Sequence, residues 1–195
     1  QTCTVTATKA ADSTYTLATA TVNVTVVLPT PVLTFTTPNA ASVSMGSSLT
    51  NAATSTLSGG SYGAISYASS NSTVANVNPS TGVVTPMGAG TATITATQAA
   101  STGYNAQASQ TYTLTVNLAN QATLSASASA SSISTTLGTS TISTTGGSGT
   151  GAVTYAVTSG GCSIQSSTGV LTAAPTAQTC TVTATKAADS TYTLA

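Results

Sequence analysis

The chain has 195 residues, no net charge and 2% charged residues, where an ordinary soluble domain carries about 25%. Its charged side chains are Lys9, Asp12, Lys186 and Asp189, and Glu, Arg, His and Trp are absent, so it lacks the bases, carboxylate cages and basic stripes that proton transfer, calcium or zinc sites and nucleic-acid recognition need. No apolar run reaches the roughly 18 residues of a membrane span, and QTCTVTATKA at the start does not read as a signal peptide; the expectation is a non-enzyme with no cofactor or metal.

Low charge here does not mean disorder. Disordered chains combine low hydrophobicity with high net charge, whereas this chain has a mean hydropathy of +0.28. Its 46 threonines, with abundant valine, favour pleated, half-buried strands.

Residues 1–18, QTCTVTATKAADSTYTLA, recur unchanged at 178–195, an offset of 177. A weaker repeat halves that period. GAISYASSNSTVANVNPSTGVVTP from Gly63 aligns with GAVTYAVTSGGCSIQSSTGVLTAAP from Gly151, setting Tyr67 over Tyr155 and Gly82 over Gly169. TATITATQAASTGY from Thr91 aligns with CTVTATKAADSTY from Cys180, setting Tyr104 over Tyr192. A half-period of about 88 residues suits one small β-sandwich. In chain order, 1–28 read as the last strands of a preceding unit and 29–118 as a complete unit. Residues 119–195 read as a second unit lacking its last strand, to be completed by the equivalent of 18–28 in the next copy.

The predicted strands follow from period-two alternation. TVNVTVVL in the first piece and TYTLTVNL before Ala119 both alternate. TATITAT places Ala92, Ile94 and Ala96 on one face, and CTVTATK does the same with Cys180, Val182 and Ala184. PSTG and SSTG are glycine turns, as are Gly59-Gly60 and Gly146-Gly147. Pro29-Thr-Pro31 reads as a stiff connector. Short strands spaced by turns predict an all-β sandwich. Tyr15, Tyr104 and Tyr192 are expected to pack in the core with the hydroxyl on a backbone group, as in tyrosine corners.

Aligning the TG turns sets Cys162 over Ala75, and aligning TAT sets Cys180 over Ala92. Both cysteines thus replace inward-facing alanines, and a Cys162–Cys180 disulfide is expected, worth on the order of 3 kcal/mol. Two buried free thiols are the alternative. Cys3 would pair with the Cys162 equivalent of the preceding copy. Disulfides point to an oxidising, extracellular compartment.

The stretches ISYASSNSTVANVNPSTGVVTPMGAGTATITAT and VTYAVTSGGCSIQSSTGVLTAAPTAQTCTVTATKAADSTY resemble the bacterial immunoglobulin-like (Big) repeats. The resemblance implies tandem immunoglobulin-like sandwiches arranged head to tail in long secreted or surface-anchored bacterial proteins, including adhesins, where such repeats act as stalk or spacer. Near-absence of charge sets this chain apart from repeats with calcium-stiffened linkers.

Other sites are expected to be minor. Lys9 with Asp12, and Lys186 with Asp189, are surface pairs worth ~0–1 kcal/mol. An isopeptide bond lacks its buried acid, and a thioester through Gln1 or Gln178 conflicts with an inward cysteine. Asn23 and Asn71 begin glycosylation sequons, and the exposed threonine rows suit O-linked sugars. Three functions follow: a structural repeat of a fibre, stalk or adhesin at the bacterial surface; a carbohydrate- or receptor-binding module, for which Tyr62 and Tyr112 are the exposed candidates; or a filament or sheath subunit with strand donation between chains. The expected partners are neighbouring copies of the chain, with glycans second, and neither nucleic acid nor a membrane.

Overall fold

The structure is a computed structural model that describes residues 1–135 and 137–195, and the described residues form strands, turns and loops without a helix. The chain opens with a hairpin of β1 (Thr2–Lys9) and β2 (Ala18–Thr25). Then come β3 (Leu33–Phe35), β4 (Asn39–Ser44), β5 (Leu49–Thr50), β6 (Ala53–Ser55), β7 (Ile65–Ser69), β8 (Ala75–Val77), β9 (Val83–Pro86), β10 (Gly90–Gln98) and β11 (Ala108–Asn117). The remaining strands are β12 (Leu124–Ala128), β13 (Thr139–Gly146), β14 (Val153–Ser159), β15 (Ser163–Ile164), β16 (Val170–Thr172) and β17 (Thr181–Lys186).

Strands β3 to β11 make a sandwich. One layer is the sheet β4-β11-β10-β7; the other holds β3-β6 and β5-β9-β8. Strand β10 shows why the chain folds this way. Its threonines present hydroxyls outward while Ala92, Ile94 and Ala96 are buried, so one face can meet the other layer and one can meet water. Gln98 continues the inward row, and its amide is satisfied by Ser55 Oγ (2.5 Å) and the carbonyls of Leu57 (2.8 Å) and Gly63 (2.9 Å). On β11 the inward row is Tyr112, Leu114 and Val116, all buried. Phe35 meets Tyr112 edge to face with ring centroids 4.8 Å apart. The Tyr112 hydroxyl sits in this core with no partner in hydrogen-bonding geometry. Burial raises its pKa, opposed by the neighbouring Asn51 amide.

The tyrosines are placed differently from the sequence expectation. Tyr15 and Tyr104 are exposed, and Tyr192 is half-buried. The core positions belong to Tyr67 and Tyr112, and Tyr67 is the ring whose hydroxyl accepts a backbone hydrogen bond, from the Ala53 N–H at 3.0 Å. The reason is local. The loop after β10 closes on itself through Ser101 and Asn105, so Tyr104 lies on its outer side, against Tyr62. Tyr112 was also expected to be exposed, and its place on the inward row of β11 corrects that.

The PSTG turn is built around Tyr67. Gly82 has φ +72°, and a Cβ there would stand 2.9 Å from the Tyr67 ring. Gly46 has a similar φ of +80° with open space around it. Gly82→Ala should therefore destabilise the 29–118 unit by about 2–3 kcal/mol and Gly46→Ala by about 1 kcal/mol, measured by chemical denaturation. Equal costs would show that the ring contact contributes nothing.

Candidate functional site

Residues 119–195 repeat the fold of 29–118 contact by contact. Lys186 takes the place of Gln98, donating from Nζ to the Gly151 carbonyl at 3.0 Å as Gln98 donates to Gly63. The Ala187 N–H donates to Ala152 as Ala99 donates to Ala64. The Tyr155 N–H bonds Ser166 across the second TG turn as Tyr67 bonds Pro79 across the first. Strands β12, β13, β16 and β15 form one sheet, corresponding to β3, β6 with β5, β9 and β8. The opposite sheet holds β14 and β17 alone. Its counterpart in 29–118 has two more strands, β11 and β4.

The consequence is an open groove. It has a volume of about 510 Å³ and is lined by Ile133, Ile142, Cys162, Leu171, Cys180 and Val182 among others. In 29–118 the same space is filled by the inward row of β11. The segment between β12 and β13, which corresponds to β4, forms no strand among its described residues; β4 itself pairs in parallel with β11.

One residue of the missing strand is in place. The Lys186 N–H donates to the Ala195 carbonyl at 2.8 Å, and the Ala195 N–H donates back to Lys186 at 3.0 Å. This reproduces the Lys9–Ala18 pair that opens the β1–β2 hairpin. Backbone groups alternate sides along a strand, so Ala184 and Val182 turn their N–H and C=O toward the same open edge as Lys186.

The hairpin of residues 1–28 is the converse: a strand pair without a second layer. Its register pairs Cys3 with Val24, Val5 with Val22 and Ala7 with Ala20. That is the register of β10 on β11, where Ala92 pairs with Leu114 and Ile94 with Tyr112. Yet Val5, Val22, Val24 and Val26 are 54%, 58%, 49% and 56% exposed. Their counterparts Ile94, Tyr112, Leu114 and Val116 are at most 2% exposed.

Cys162 and Cys180 form a disulfide with Cα atoms 6.1 Å apart. Both are half-buried at the groove wall, whereas Ala75 and Ala92 are buried in the closed core. The groove explains the difference, since the strand that would cover the cystine is absent. Cys3 is an exposed free thiol. Asn23 and Asn71 are both exposed; Asn23 Oδ1 accepts from Thr4 Oγ1 at 2.7 Å, and Asn71 Oδ1 from Thr73 Oγ1 at 2.7 Å. Lys9 lies with Nζ 5.8 Å from the centre of the Tyr15 ring. Gln178 contributes its side-chain oxygen to the Gly161 N–H, and Gln1 is at the exposed hairpin end. Among the described residues no three metal-ligating side chains cluster, and no helix is long and apolar enough to cross a membrane.

Asp12 and Asp189 close the same loop in the two copies. Each accepts from two backbone N–H groups, Thr14 and Tyr15 in one and Thr191 and Tyr192 in the other. Asp189 also accepts from the Thr150 N–H at 2.6 Å, tying the loop to its sandwich. Thr150 leads the causes that lower its pKa to about 2, followed by Thr191 and Tyr192. Asp12 lacks that contact, and its pKa is lowered by Thr14 and Tyr15 alone.

These features yield two expected outcomes. Because Asp189 has a depressed folded-state pKa, its contribution is present above the ordinary carboxylate value near 4 and is lost as the pH falls toward 2. Asp189→Asn should flatten the acid limb of unfolding for 119–195 over that window; an unchanged limb would remove the Thr150 contact from the account. Reducing the disulfide should lower the stability of 119–195 by about 3 kcal/mol and leave 29–118 unmoved, read as two separate denaturation transitions.

Residues 34–106 match the family model described as bacterial Ig-like domain (group 2). No curated protein matches the chain. Among solved structures it is similar to mouse cadherin-23 EC22-24, at 20% identity and a TM-score of 0.38, covering 95% of this chain and 68% of that one. It is also similar to protocadherin gamma B2 extracellular cadherin domains 3-6, at 15% identity and a TM-score of 0.36, covering 95% and 55%, and to the protocadherin gammaB4 extracellular domain, at 14% and 0.36, covering 95% and 36%. Likeness at this level says nothing of function.

Proposed function

We infer, from a group 2 bacterial Ig-like domain at residues 34–106 and its structural echo at 119–195, that the chain is a repeat unit of a long extracellular bacterial fibre, stalk or adhesin and works as a spacer. The observation that carries this reading is the 18-residue identity between 1–18 and 178–195. The two copies fold alike: the Asp12 N–H bonds Tyr15 as the Asp189 N–H bonds Tyr192, and Lys9 pairs Ala18 as Lys186 pairs Ala195. A sequence repeated without change and folded the same way both times suits a periodic polymer. Such repeats are selected for shape and stacking rather than for a site.

On this reading residues 1–28 close a preceding sandwich, 29–118 form a complete one, and 119–195 await a strand like 18–28. Cys3 then bonds the Cys162 equivalent of the preceding copy. The disulfide supports an oxidising, extracellular setting. The neighbouring copies are the partners, and glycans on the outward threonines, Asn23 and Asn71 would supply the solubility that a neutral surface lacks.

Two sandwiches with strands of about ten residues at ~3.3 Å each, plus turns, give a rod of roughly 80 Å per period. Electron microscopy of the native material should show thin beaded rods with that spacing, and mass measurement in denaturant should give a chain many times longer than one period. Compact particles, or a band at one period, would contradict the stalk.

A further inference from the structure

We propose that the groove of residues 119–195 is an acceptor site for strand β2 of a second copy of this chain, so that 195-residue chains join head to tail. The proposal rests on the reading of 119–195 as a sandwich lacking one strand, and is separable from the stalk reading, which concerns the native polymer.

Three observations select this occupant. The first is the edge: β17 turns Ala184 and Val182 toward open space in line with Lys186, whose pair with Ala195 has already begun the missing ladder. The second is the strand. Residues Thr19 to Leu28 run on from Ala18, the residue identical in place and pairing to Ala195, and β2 already pairs with β1, whose sequence is that of 179–186. The register is thereby fixed: Thr19 opposite Thr185, Ala20 opposite Ala184, Val22 opposite Val182 and Val24 opposite Cys180. The third is the face. In that register Val22, Val24 and Val26 point into the groove toward Leu171, Ile142 and the cystine, where Tyr112, Leu114 and Val116 stand in the complete sandwich.

The exchange has little to oppose it. Strand β2 leaves β1 for β17, and the two present the same eight residues in the same register, so the pairing lost and the pairing gained are alike. What changes is that three exposed valines become covered and an open sheet edge is filled. The segment between β12 and β13 gains the parallel neighbour that β4 has in β11. No covalent change is involved: the Cys162–Cys180 disulfide stays, and Cys3 is released with β1.

The test uses the 195-residue chain followed by light scattering from micromolar to submillimolar concentration. Oligomers that grow with concentration are expected. Val22→Asp with Val24→Asp changes only residues exposed on the hairpin, and should weaken association by at least about a hundredfold. A chain extended past Ala195 by TATVNVTVVL fills its own groove and should also stay monomeric. Mixing the two should give a one-to-one pair and nothing longer, since one supplies only the groove and the other only the strand. Cystine mapping of the parent oligomers should return Cys162–Cys180. A parent chain that stays monomeric, either variant associating like the parent, a mixture without pairs, or a Cys3–Cys162 bond between chains would each overturn the proposal.

Discussion

A strand pair whose inner row is apolar needs a second layer, and that constraint organises the whole chain. Between Ala92–Ala96 and Tyr112–Val116 the constraint is met, and those side chains are sealed from water. The β1–β2 hairpin carries the same register and the same kind of inner row without a layer to meet. Residues 119–195 carry the layer without the strand. The exposed valines at one end and the groove at the other are therefore two halves of one missing interaction. Burying a valine contributes about 1.5–3 kcal/mol relative to exposure, which is large against the 5–15 kcal/mol net stability of a typical domain.

Chemistry is sparse around this frame. The charged side chains serve loops: Asp12 and Asp189 hold N–H groups of the turns before Tyr15 and Tyr192, and Lys186 does for Gly151 what a neutral amide, Gln98, does for Gly63. A lysine head and a glutamine head thus fill one structural position in the two sandwiches. The disulfide joins two positions that are alanine in the closed unit, and it lies beside the edge where the second unit is open. It reinforces the place where the strand complement is missing.

Much of the fold was legible because strand alternation is a local property. TATITAT and CTVTATK reveal their inner faces directly, and the TG turns and cysteines align through fixed offsets. The groove was legible indirectly, as a repeat cut short by one strand. What escaped was set by non-local geometry. Tyr104 and Tyr112 are eight residues apart, yet the first lies on the outside of a self-closing loop and the second is inside the core. Which one faces in depends on where the chain reverses. Gln98 could have been found, since it falls on the even positions 92, 94 and 96 of its own strand. Asn51 and Asn105, both buried and bonded to backbone groups, carry no such signal. The parallel pairing of β4 with β11 joins segments far apart in sequence, so no local pattern marks it.

The central claim is that a strand with the sequence of residues 19–28 completes the sandwich of 119–195. Hydrogen exchange at the Val182 and Ala184 amides, compared between the 195-residue chain and one extended by those ten residues, tests it most directly. Strong slowing at both amides in the extended chain, matched by slow exchange at Ile94 and Ala96 in either chain, is the expected result. Equal exchange at Val182 and Ala184 with and without the extension would contradict it.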